Sequence, residues 1–147
     1  MTYGTLATIR RMLFLALVVG LFGTMAELLL LGHYEDWKQY TPLVVLVLAL
    51  GAQGWYVTTR SARGVRAVRA AMWLLMVSGC VGVVLHFRGN REFELEMTPS
   101  MAGWELFRET VTGATPALAP GSLIPLGLIG LAWAFRHPAL GQGPPEY

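Results

Sequence analysis

In this 147-residue chain the residues whose types could do chemistry are few, and two histidines stand out. His33 sits in Gly32-His33-Tyr34-Glu35-Asp36-Trp37, and His86 opens His86-Phe87-Arg88-Gly89-Asn90-Arg91-Glu92. Neutral imidazoles and carboxylates are ligands for zinc or iron, and two imidazoles can hold a haem iron from opposite sides. If His33 and His86 converge, Glu27, Glu35, Asp36 and Glu92 are the acids that could complete a metal site. Glu27 would lie about 9 Å below His33 along a helix. Neither Glu-x-x-His nor His-Glu-x-x-His occurs, so spacing alone selects no metal. The same imidazoles could instead cap helix C-termini, where a cation meets the negative end of the helix dipole.

Glu27 is the one acid inside an apolar run, and an acid at membrane depth marks a functional position by default. Its structural alternatives are a hydrogen bond to Ser78, Gln53 or Tyr34, or an ion pair with Arg88 or Arg91. A carboxyl-lined conduit would need more acids, so an ion pathway would require several copies of the chain. Cys80 is alone and mid-span, where it can form neither an intrachain disulfide nor a thiolate nucleophile. Ser100 and Ser122 have no histidine near them in sequence, and there is no phosphate loop or nucleophile elbow. No catalytic residue is assigned, and the sequence leans against an enzyme without deciding it.

The elements that must position these residues are written in the composition. Apolar residues make up 54% of the chain and charged residues only 14%, whereas a soluble domain carries about 25% charged residues. A helix crossing the hydrocarbon core needs roughly 20 mostly apolar residues. Four runs approach that length: about 12–32, 42–59 (opened by Thr41-Pro42), 70–87 and 116–135. The last is the weakest, because 122–135 is too short alone and must borrow a stretch holding Pro116 and Pro120. Pro125 predicts a kink near its start. Arg10-Arg11 before the first run resembles a signal peptide, but the run continues through Leu31, which predicts an uncleaved anchor.

Arginine placement predicts orientation. Arg10, Arg11, Arg60, Arg63, Arg66, Arg69 and Arg136 fall on one side, opposed only by Glu146. The other side holds Lys38, Arg88, Arg91 and Arg108 against Glu35, Asp36, Glu92, Glu94, Glu96, Glu105 and Glu109. The positive-inside rule then puts both termini in the cytoplasm of a bacterial-type inner membrane. Arg60, Arg63, Arg66 and Arg69 read as topology signals drawn to anionic lipid, and nothing calls for nucleic acid. Trp37, Tyr40 and Trp104 would form an outer aromatic belt, and Trp55, Tyr56, Trp73 and Trp133 an inner one.

Lipid-embedded helices associate through small residues. Ala16, Gly20, Gly23 and Thr24 share a sector with Glu27. Ala71, Ser78 and Gly82 form a second seam, Gly127, Gly130 and Ala134 a third, and Gly51 and Gly54 a fourth. The expected fold is all-α: a single membrane domain, built as an antiparallel four-helix transmembrane bundle. An outer cap at 88–115 and a cytoplasmic tail at 136–147 complete it. In the cap, Glu92, Glu94 and Glu96 alternate with Phe93, Leu95 and Met97, predicting an extended segment. Thr98-Pro99 then signals an amphipathic helix with Met101, Trp104, Phe107 and Val111 on its apolar face, ending at Gly113. The pattern resembles small four-span bacterial membrane proteins, a likeness of architecture that implies no activity. The expected role is a non-catalytic accessory or subunit of a membrane assembly, touching lipids and either a protein partner or its own copies. A metal- or haem-binding protein is the alternative, and an oligomeric ion or small-solute conduit a third.

Overall fold

A computed structural model describes residues 3–113 and 115–141; Glu146 and the rest of the tail from 142 lie outside the described residues. Among those residues the chain is helical, without strands: α1 (Tyr3–Leu30), α2 (Trp37–Thr59), α3 (Ala62–Met97), α4 (Gly103–Thr112) and α5 (Leu123–Ala134). Single 3-10 turns precede and follow α5, at Ala119–Ser122 and Pro138–Leu140. Three helices, α1, α2 and α3, are long and apolar enough to cross a membrane.

The fourth run behaves differently. α5 has 12 residues, about 18 Å of helix, against a hydrocarbon core of roughly 30 Å. Pro116 and Pro120 hold the preceding chain in turns. Pro125 falls in the first turn of α5, where its missing N–H has no intrahelical carbonyl to satisfy, so it does not break the helix.

The contacts of α5 fix its direction against two neighbours. A Cβ on Gly79 would meet Leu123, Ile124 and Pro120, while one on Gly127 would meet Met76 and the Met72 carbonyl. Numbers thus fall along α3 as they rise along α5. α1 lies on α5 in the same sense, with Gly20 against Leu126 and Gly130 against Leu17. Leu17 and Leu21 are the fully buried residues of α1. α2 and α3 are joined by a tight turn in which Arg60 takes a left-handed conformation (φ 49°). There the Arg60 N–H donates to the Tyr56 carbonyl, and the Ser61 hydroxyl accepts from the Gly64 N–H at 3.1 Å. A Cβ on Gly64 would stand 2.9 Å from the Tyr56 Cα, so glycine lets the two helix ends touch.

One seam read from sequence is absent and another is only partly formed. Gly23, Gly51 and Gly54 face open space, while Gly20, Gly82, Gly127 and Gly130 do receive neighbours. The inner aromatic belt also divides: Trp55 and Trp73 are exposed, but Tyr56 and Trp133 are buried.

The segment expected to be extended is helix. α3 continues to Met97 over 36 residues, about 54 Å, so its far end must project beyond any bilayer core. Extending an existing helix adds one hydrogen bond per ordered residue, and Arg, Glu, Leu and Met are good helix formers. Glu92 and Glu96 consequently share one face and Glu94 another. Thr98-Pro99 closes α3 rather than opening α4. The residue before proline is pushed out of the helical region, and Thr98 has ψ 83° with its N–H on the Glu94 carbonyl at 2.8 Å. Gly103, at φ +60°, turns the chain into α4.

α4 does dock on α3, but with a rotated face. Thr110 is buried, Leu106 and Val111 are half-buried, and Trp104 is 74% exposed. Phe107 joins the two helices through Phe87, with ring centres 6.2 Å apart. Asn90 clamps the docked segment: its Nδ2 donates to the carbonyls of Thr110 (2.9 Å) and Thr115 (2.6 Å), and its Oδ1 accepts from the Thr115 hydroxyl.

Two outcomes test this packing. Gly127→Ala should lower the unfolding midpoint in detergent, because its Cβ would meet the Met72 carbonyl oxygen at 2.8 Å, a backbone atom that cannot swing away. The cost should be about 1–3 kcal/mol, whereas Gly51→Ala, open on all sides, should be neutral or stabilising. Asn90→Leu should cost about 1–3 kcal/mol by stranding buried carbonyls, and should speed amide exchange in 98–122 ahead of α1 and α2.

Candidate functional site

The two histidines singled out by sequence meet. α1 ends in a Schellman closure in which the Gly32 N–H bonds the Leu29 carbonyl at 3.2 Å and the His33 N–H bonds the Leu28 carbonyl at 2.9 Å. Gly32 takes φ +65°, a conformation favouring glycine, and this turn carries His33 toward α3. The His33 and His86 ring centres are 6.4 Å apart, tilted by 42°. His33 therefore closes its helix through its backbone, leaving the imidazole free for other use. His86 lies in the interior of α3 rather than at a C-terminus, which overturns a capping role for it.

Both rings are half-buried, and His86 Nδ1 is a buried atom without a hydrogen-bond partner among the described residues. Burial, and then the neighbouring His86, lower the pKa of His33 below its ordinary value of 6.5. The pair thus favours a neutral, lone-pair-bearing His33, the form that binds metals. The expected acids do not join it. Among the described residues, no group of three or more His, Cys, Asp or Glu gathers in metal-binding proximity.

Each acid has a local reason to be elsewhere. Glu27 is exposed in the last turn of α1, so it does not line the interior of a single protomer. Glu35 and Asp36 are exposed at the start of α2, where the Gln39 Oε1 accepts from both their backbone N–H groups (2.7 and 3.3 Å). Glu92 is exposed on the projecting part of α3.

A second cluster, at the opposite end, was not legible in the sequence. His137, 5% exposed, packs among Trp133 (ring centres 4.8 Å) and Tyr56 (5.3 Å), while Phe14 from α1 packs on Trp133 (5.3 Å). Its Nδ1 accepts from the Ala139 N–H at 3.2 Å, and Nε2 lies 3.3 Å from the Tyr56 hydroxyl. An accepting Nδ1 leaves the ring proton on Nε2, which donates to Tyr56. The cluster's arginines surround it. Arg10 donates to the carbonyls of Phe135 and Arg136 at 3.3 Å each, and the Arg60 guanidinium lies 5.3 Å over the Tyr56 ring. Residues 14, 56, 133 and 137 come from three helices and a turn, so no spacing rule links them.

Gln53, one of the partners considered for Glu27 from sequence, does not pair with it. It is 3% exposed on α2, with both side-chain polar atoms unpaired among the described residues. Glu27, by contrast, is exposed.

No family model matches the chain, and neither a curated protein nor a solved structure is detectably similar to it.

The His137 cluster has a testable pH dependence. Burial, and then Arg10, hold His137 down at about 4, below the ordinary 6.5. A base with a depressed folded-state pKa stabilises the fold fully above 6.5, and that contribution is lost as pH falls from 6.5 toward 4. His33 acts in the same direction. The unfolding midpoint in detergent should therefore fall between pH 7 and 4, and His137→Gln should flatten part of that decline; an unchanged slope would refute the assignment.

Proposed function

We propose that this chain is a small multi-pass membrane protein that acts as a non-catalytic accessory or subunit of a membrane assembly. The observation that carries this reading is the state of α1. Only 11% of its most apolar stretch is buried, and Leu15, Val19, Phe22 and Leu30 lie exposed along it. A water-soluble monomer rarely leaves so large an apolar surface uncovered. In a bilayer, lipid tails or the helices of another chain cover it at little cost.

The charge distribution supports an orientation. Arg10, Arg60 and Arg136 meet at one end of the helices, and Arg63, Arg66 and Arg69 occupy the first turns of α3 at that same end. The acids of the α3 extension and α4 lie at the other. On the positive-inside rule the arginine end, with both termini, faces the cytoplasm of a bacterial-type inner membrane. The fourth crossing in this reading is made by Ala119–Ala134, about 26 Å of combined 3-10 and α-helix. The acidic α3 extension and docked α4 then form an outer platform for a partner.

A second reading rests on the histidine pair. Rings 6.4 Å apart are close enough for one ion with metal–nitrogen bonds near 2.0–2.1 Å, and the unpaired His86 Nδ1 supplies an open donor. The remaining ligands would come from a partner, from water or from a haem.

Purification in mild detergent separates the readings. The assembly role predicts a particle heavier than the 16.1 kDa chain in its micelle, cross-linked through a cysteine placed at Val19. Repeated recovery of a monomer, with no such cross-link in native membranes, would overturn it. Stoichiometric metal or a haem absorption band, lost in His33→Ala and His86→Ala, would establish the second reading instead.

A further inference from the structure

We infer that a cleft between the start of α3 and the end of α5 is a binding site for the headgroup of an anionic phospholipid. This rests on the membrane reading above. The cleft encloses about 400 Å³ and is lined by Arg69, Trp73, Leu131, Ala134, Phe135 and Arg136.

Its chemistry is graded along the helix axes. Trp73 lies one turn further into the apolar part of α3 than Arg69, and Leu131 lies about one turn further into α5 than Phe135. Two guanidiniums therefore stand at the rim and apolar side chains form the floor. A phospholipid has the matching order, with phosphate at the interface and acyl chain below. The rim charges are uncompensated: the ion pair among the described residues is Arg108–Glu109, at the acidic end. Every described Asp and Glu lies in the last turn of α1 or beyond it, toward that acidic end.

Arg136 is also held in place. Its backbone is left-handed (φ 42°), a conformation costly for a residue with a Cβ. Arg10 braces it through the carbonyls of Phe135 and Arg136, and its guanidinium lies 5.6 Å over the Phe135 ring. A guanidinium positioned in this way keeps its forked N–H donors for two phosphate oxygens.

Native mass spectrometry of the full chain in nonionic detergent tests the site with three probes: phosphatidylglycerol, phosphatidylcholine and inorganic phosphate. The unmodified chain should retain one phosphatidylglycerol in preference to phosphatidylcholine by roughly tenfold or more, since each interfacial arginine adds a factor of about five. Inorganic phosphate at the same concentration should not compete, because it lacks the acyl chain that fills the floor. Arg69→Gln with Arg136→Gln should lower retention roughly 10- to 30-fold. Arg63→Gln with Arg66→Gln, which removes the same charge outside the cleft, should stay within about twofold of the unmodified chain.

Equal retention of the two lipids by the unmodified chain overturns the site, and that arm depends on no variant folding. Equal losses in both double variants overturn it in favour of diffuse attraction, and full competition by phosphate replaces the lipid with a free anion. Recovery of the chain in the aqueous fraction without detergent would overturn the membrane reading itself, a result distinct from all of these.

Discussion

The approach of α5 to α3 is the contact on which the rest of the structure depends. Hydrocarbon offers helices almost no gain from burying apolar side chains, so association relies on close packing and on the few available hydrogen bonds. Gly127 and Gly130 let α5 settle onto Met72 and Met76 with its backbone against the Met72 carbonyl. α1 then rests on α5 through Leu17 and Gly20. Had α5 been held off by side chains, α1 would have lost its principal support.

Because α5 is short, its two ends are secured by polar clamps. At the acidic end, Asn90 holds the carbonyls of Thr110 and Thr115 and so fixes the chain that leads into the 3-10 turn. At the arginine end, Arg10 holds the carbonyls of Phe135 and Arg136, and His137 sits between Tyr56 and Trp133. Each clamp uses a side chain from one element to satisfy backbone or ring groups of another. Such groups are expensive to leave unpaired away from water. The same brace presents Arg136 beside the cleft, so one set of contacts serves both packing and the proposed lipid site.

The candidate site was half legible in the sequence. His33 and His86 end up together because α1 closes where Gly32 allows and α3 passes at the same depth, both consequences of apolar run length. The acids did not follow, because each obeys a local rule instead. Glu27 turns outward on a helix whose inner stripe is Leu17 and Leu21, and Glu35 and Asp36 sit in the turn that starts α2. Glu92 is carried away by a helix that does not stop at the apolar boundary. The alternation at 92–97 predicts an extended segment because period two is a property of pattern alone, while the neighbouring helix is free to propagate through it.

By itself, the sequence determined that the chain is helical and apolar, offered four runs as crossings of which three are helices long enough to span a bilayer, and put most arginines at one end and most acids at the other. Those properties depend on residues close together along the chain, through helix length, period and composition. Tertiary structure alone decided which glycines meet a neighbour, which face of α4 is covered, and that Phe14, Tyr56, Trp133 and His137 form one cluster. These depend on rotation and register between helices, set by contacts of a few ångströms between residues as many as 126 positions apart, and no local pattern encodes such contacts.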